Sequence, residues 1–161
     1  MMQASFTAEL FEMAKSEGVS TCLDTAGGVF DAADENHVRL FNACDTVLLD
    51  IKHIDAEAHR RLTGASPERV FACARYLAER NIPVWIRHVL VPGVTDDDES
   101  LHRLAEFIRT LPNVRKVEVL PYHVFGVEKW KRLGLKYTLD GVEPPTAEAL
   151  AKAKEILGNE E

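Results

Sequence analysis

The sequence predicts one α/β domain, a parallel β-sheet covered by helices. Three observations predict it. Four short runs rich in β-branched and aliphatic residues, VSTCLDT, TVLLDIK, IPVWIRHVLV and VRKVEVLPY, recur along the chain. Stretches with helical spacing separate them, and parallel neighbours need a crossover that a helix usually supplies. The 161 residues, 46% hydrophobic and 28% charged, suit one globular core, so residues 1–161 are read as a single domain. A doubly wound sheet and a barrel both satisfy this pattern.

The elements follow in order. Phe6, Leu10 and Met13 share one helical face, Ser5 is placed to cap that helix, and Gly18 suits the left-handed residue that ends it. The first strand runs from Val19 to Thr25, and Gly27-Gly28 breaks the chain before a helix over Ala32 to Cys44. The second strand ends at Lys52. Asp55 caps a short helix through Leu62, and Ser66-Pro67 opens another whose Val70, Cys73, Ala74 and Leu77 share a face. After the third strand, Pro92-Gly93 turns the chain and Thr95 with Asp98 reads as a capping box. Leu101, Leu104, Ala105 and Ile108 then form a buried stripe, followed by the fourth strand. Residues 123–145 read as a long irregular loop with aromatic and basic residues, and a last helix spans 146–157.

Composition narrows the function classes. A net charge of -7 repels a phosphate backbone, so nucleic acid is not expected as a partner. No apolar run approaches the roughly 20 residues that cross a bilayer, so no membrane association is expected. The acidic, helically spaced first residues do not read as an export signal, which makes the cytoplasm the expected location. Three widely spaced cysteines, Cys22, Cys44 and Cys73, make no disulfide framework and read as mostly buried apolar side chains.

Candidate site residues come from strand periodicity. Side chains two apart share a face, so Asp50 and Lys52 project together from the carboxyl end of the second strand, where α/β folds place their active sites. Asp24 ends the first strand, Arg87 lies near the end of the third, and His123 follows the fourth. Each strand thus sends an ionisable group to one rim. Structural readings stand beside these: mutual neutralisation of Asp50 and Lys52, Arg87 lying over Trp85, His123 holding a turn, and Asp24 with Thr25 capping the turn into Gly27. The acidic run from Asp96 to Glu99 reads as helix capping, and the histidines show no zinc spacing. GxGxxG, P-loop and GxSxG patterns are all missing.

At this point the motifs TCLDT, LLDIK, RLTGAS, VWIRHVLVPGVTDDDES and VEVLPYHVFGVEKWKRLGLKY resemble, in order, those of pyruvate formate-lyase activating enzymes, from about Gly18 onward. The resemblance implies a partial TIM-like (β/α)6 radical SAM barrel. It also implies S-adenosylmethionine bound beside a 4Fe-4S cluster, a 5'-deoxyadenosyl radical, and hydrogen abstraction from a glycine of a partner glycyl radical enzyme, with pyruvate formate-lyase the expected one. Carried over by position, Asp50, Ile51 and Lys52 resemble the strand-end segment that holds S-adenosylmethionine. Arg87 and His123 resemble further cofactor contacts. Asp24, Thr25, Leu48 and Asp50 resemble a monovalent-cation site.

The sequence departs from the family in two respects: it contains no CxxxCxxC loop for the cluster and no GGE cofactor motif. The expectation is a chain holding the last four strands of the six, its first two missing, inactive by itself in radical chemistry. An unpaired strand edge predicts self-association, or complementation by an N-terminal fragment. Two other readings remain: a Schiff-base aldolase using Lys52, and a non-catalytic binding module or split subunit.

Overall fold

A computed structural model describes residues 1–158; the last three positions of the expected domain, 159–161, lie outside the described residues. Four parallel strands form one sheet in the order β1-β2-β3-β4: β1 Cys22–Thr25, β2 Thr46–Asp50, β3 Val84–Leu90 and β4 Val114–Pro121. Helices α1 (Ala4–Ser16), α2 (Glu35–Asn42), α3 (Ala56–Thr63), α4 (Glu68–Glu79), α5 (Asp98–Arg109), α6 (Val127–Arg132) and α7 (Ala147–Leu157) fill the connections. The predicted α/β class with four parallel strands is observed, and neighbours in sequence are neighbours in the sheet.

Only one face of the sheet carries the core. Val47 and Leu49 of β2, Ile51 just after it, and Val84, Ile86 and Leu90 of β3 are buried against helix residues such as Leu40, Phe41, Leu77 and Leu104. At roughly 1.5–3 kcal/mol for each fully buried aliphatic side chain, this face supplies most of the stability. The alternate residues, Leu48 and Asp50 on β2 and Trp85, Arg87 and Val89 on β3, are half-buried or exposed. The sheet therefore has a helix-covered back and an open front, with strand edges at β1 and β4.

Capping accounts for most helix starts. Asp34, Asp55, Asp97 and Thr146 each accept a backbone N–H at the start of α2, α3, α5 and α7. The acidic run is thus a cap, with Asp97 at the N-cap and Asp96 accepting from the Gly93 N–H at 2.8 Å. Thr95 makes no capping box. It is buried, donates to the Val89 carbonyl and accepts from the Val91 N–H, both at 2.7 Å, and so ties the turn back onto β3.

The Ser5 cap is corrected, and two other expectations gain detail. Phe6, Leu10 and Met13 do share a face of α1, but that face is exposed, and the helix packs through Ala4, Ala8 and Phe11, where small side chains permit close approach to α2. Ser5 caps nothing; α1 already begins at Ala4 with Gln3 before it. The region 123–145 is not wholly irregular, since it contains α6.

Candidate functional site

The parallel register decides which side chains meet on the open face. Asp24 pairs with Leu48, Leu48 with Trp85, and Trp85 with Lys116; one row further on, Asp50 pairs with Arg87 and Arg87 with Glu118. Paired residues point the same way, so all four strands bring charged groups to adjacent rows of this face.

These charges form one connected cluster. Arg87 Nε donates to Asp50 Oδ1 at 2.7 Å, and its guanidinium reaches across β2 to donate to Asp24 Oδ1 at 2.5 Å. Lys52 Nζ donates to Asp50 Oδ2 at 2.6 Å, so both oxygens of that carboxylate are engaged. The side chains of Asp50 and Arg87 are each only 17% exposed, which places their ion pair largely out of water, while Lys52 at 32% and Asp24 at 61% face the opening. Burial works against the Arg87 charge, but the hydrogen bonds it donates to Asp24 and Asp50, with their negative charge, more than offset it and hold its pKa above the ordinary value.

The structure therefore joins Asp24, Asp50, Lys52 and Arg87, as expected from strand periodicity. It does not join the rest. The Ile51 side chain is fully buried on the helix side, because its position is odd relative to Asp50 and Lys52; its N–H donates to the Arg87 carbonyl at 3.0 Å. Thr25 Oγ1 accepts the Gly27 N–H at 3.1 Å and shapes the turn after β1. His123 lies beyond the end of β4, exposed, with its ring centroid 4.6 Å from that of Phe125, and no hydrogen bond ties it to the cluster. Leu48 presents its side chain to the open face between Asp24 and Trp85. The guanidinium of Arg87 stands between the two carboxylates that the expected cation site would use.

Several residues of this face were not singled out from the sequence. Trp85 is 37% exposed, with Lys116 Nζ 5.0 Å from its ring centroid, and Lys116 also lies 3.4 Å from Glu118. The even spacing of Trp85 and Arg87 carried that signal. His88, on the buried face behind the cluster, places Nδ1 2.9 Å from the Ile51 carbonyl and Nε2 3.2 Å from the Thr95 carbonyl, bracing the backbone between Asp50 and Lys52. Burial pushes the pKa of its imidazole down. His37, His53 and His59 are likewise buried rather than solvated.

The cysteines do not fit an iron-sulfur cluster. Cys44 and Cys73 are buried on the helix side, and burial pushes both thiols up to about 12, far from the thiolate form that ligates iron. Cys22 alone is exposed. Among the described residues no group of three His, Cys, Asp or Glu side chains is arranged to hold a metal ion. Lys52 and Asp24 are the members of the charged cluster most open to a ligand, one a cation and the other a pair of acceptor oxygens.

The fold is a parallel four-stranded sheet with one helix-covered face and a charged cluster on the open one. The Radical SAM superfamily model matches residues 1–105, and the chain belongs to that family. The pyruvate formate-lyase-activating enzyme of Streptococcus mutans is 46% identical over 99% of this chain and 62% of its own length. Pyruvate formate-lyase 1-activating enzyme of Escherichia coli K12 is 46% identical over 98% of this chain and 63% of its own length. The chain thus spans a little over three-fifths of these curated relatives. In fold it resembles a crystallised domain of pyruvate-formate lyase-activating enzyme from Bacteroides vulgatus, with a TM-score of 0.78 at 23% identity over 98% of this chain and 86% of that one. No helix among the described residues is long and apolar enough to cross a membrane.

Proposed function

We propose that this chain is the S-adenosylmethionine-binding part of a glycyl-radical activating enzyme, acting on pyruvate formate-lyase. The observation that carries the reading is the Asp24, Arg87, Asp50 and Lys52 cluster on the open face of a chain 46% identical to such activases. In this reading Lys52 takes the carboxylate of S-adenosylmethionine. Asp50, held by both Lys52 and Arg87, fixes the angle at which that ammonium is presented, and Asp24 accepts from ribose hydroxyls. His123 joins the site only if the loop after β4 closes over it. With a cluster beside it, S-adenosylmethionine supplies hydrogen-abstraction chemistry. The cysteines of this chain do not provide that cluster, so its thiolates come from a segment outside this sequence or from another polypeptide.

The aldolase reading fares worse on geometry. Lys52 Nζ lies 2.6 Å from an Asp50 carboxylate oxygen and is 32% exposed, whereas a Schiff-base lysine is activated in a desolvated pocket or beside another cation. Calorimetric titration of S-adenosylmethionine into the protein tests the proposal. Saturable binding that weakens roughly tenfold or more in Lys52→Met is expected, since a charge-assisted bond is lost. Binding indifferent to Lys52→Met and Arg87→Met, or borohydride trapping of an aldehyde on Lys52, overturns it.

A further inference from the structure

The segment after β4 carries a feature that the charged cluster does not use. Val124, Phe125, Leu133 and Leu135 are 48%, 85%, 63% and 54% exposed, and Trp130 is 38% exposed. Soluble surfaces rarely gather so many large apolar side chains within thirteen residues. The same stretch, residues 124–136, holds four Lys or Arg against one Glu on a chain of net charge -7. Glu128 is taken by Lys131 at 3.0 Å, and Lys129, Arg132 and Lys136 have no carboxylate partner among the described residues. The segment is nevertheless anchored: the Tyr122 and Tyr137 hydroxyls are 2.6 Å apart, and Trp130 packs edge-on against Tyr137 with centroids 5.7 Å apart. A recess of about 360 Å³ beside it is lined by Val124, Val127, Tyr137 and Leu139 and by the acidic residues Glu128, Asp140 and Glu143, whereas Lys129, Arg132 and Lys136 do not line it.

Taken with the activase reading, on which this rests, we infer that residues 124–136 are the docking surface for the protein substrate, and that the partner presents an acidic patch with a projecting apolar side chain. Charge complementarity argues for the acidic partner: three unpaired cations clustered beside exposed apolar side chains, on a chain of net charge -7, attract an acidic face to this segment. Position argues for a substrate protein. The segment leaves the carboxyl end of β4, the same end at which Asp50 and Lys52 stand, so a protein seated here brings a loop to the cluster. An anionic membrane is the poorer occupant, because α6 has only six residues and the chain around the patch is acidic.

The two tryptophans separate the two sites: Trp85 lies on the open sheet face and Trp130 in the patch. In a Trp85→Phe background, Trp130 emission is followed while purified pyruvate formate-lyase is added. A saturable change is expected that weakens with salt and weakens roughly tenfold or more in the triple variant Lys129→Glu, Arg132→Glu, Lys136→Glu. Phe125→Ser with Leu133→Ser weakens it similarly, and Arg69→Glu on the helix-covered side leaves it unchanged. Equal binding by wild type and both patch variants, no binding by wild type, or a response to phosphatidylserine vesicles but not to the lyase overturns the inference. Cofactor titration, read through Lys52, is a separate measurement, so failure of docking and failure of the cofactor reading are distinguishable.

Discussion

Arg87 and Asp50 are register partners on adjacent strands, and Arg87 Nε donates to Asp50 Oδ1 at 2.7 Å with both side chains only 17% exposed. The pair exists because both residues fall on the open face in the same row, and Lys52 and Asp24 extend it at either end. Removing the guanidinium leaves Asp50 with Lys52 alone and takes from Asp24 its cationic partner. Arg87→Met is expected to cost roughly 2–3 kcal/mol in urea unfolding, below the full range for a wholly buried pair because Asp24 stays wet. Loss of less than about 0.5 kcal/mol would mean that the cluster is held mainly by solvent, as surface ion pairs are.

Two adjacent glycines after β1 make opposite predictions. Gly27 has φ +66°, and a Cβ there would lie 3.1 Å from Leu49 Cδ1 and 3.2 Å from Cys73 Cβ. Gly28 has no positive φ and open space around it. Gly27→Ala combines left-handed strain with a clash in the core and is expected to cost about 2–3 kcal/mol. Gly28→Ala is expected to stay within about 0.5 kcal/mol of wild type. Equal effects at the two positions, seen by thermal or urea melts, would contradict the tight turn that aims β1 at the cluster.

The buried thiols give a pH dependence with a definite sign. Cys44 and Cys73 keep their protons up to about 12 in the folded protein, first because of burial and, for Cys44, also because of Cys22 and Asp45 nearby. In the unfolded chain they ionise near the ordinary value of about 8.5. Above that value the unfolded state binds fewer protons, so this stability is full below about pH 8.5 and is lost as pH rises toward 12. The expected slope is roughly 2–3 kcal/mol per pH unit for the two thiols together. Urea midpoints at pH 8 and 10 check it, and Cys73→Ala should lose about half of the difference. The same burial predicts that iodoacetamide at pH 8 labels Cys22 alone until urea is added, as read by mass spectrometry.

Legibility in the sequence followed physical rules. Period-two alternation in TVLLDIK and VWIRH was enough to place Asp50, Lys52 and Arg87 on one face, because a parallel sheet with a single covered side fixes which alternate residues are buried. It did not extend to α1, whose two apolar stripes compete: the larger Phe6, Leu10 and Met13 stripe stays exposed while alanines make the close contact. It also missed the β3–β4 irregularity. The register skips Arg115 and so turns Lys116 and Glu118 onto the open face beside Trp85 and Arg87, and a bulge leaves no mark in composition. His123 fell outside the cluster because the strand geometry that placed the other residues ends at Pro121.

The strand edge at β1 leads to the last prediction. Among the described residues β1 has a hydrogen-bonded neighbour only in β2, and its open face presents the exposed Cys22 next to Thr46, while Trp85 remains 37% exposed two strands away. A free edge with unpaired N–H and C=O groups, joined to a partly apolar face, favours pairing with another strand. Weight-average mass by sedimentation in reductant is expected to rise with protein concentration, and Cys22→Lys, which sets a charge on that edge, should lower the association. Reductant matters because Cys22 can crosslink copies and mimic the effect. A constant monomer mass with one cooperative melt across the concentration range would show that the four-strand sheet satisfies its edge with water alone, and the case for a complementing strand would fall with it.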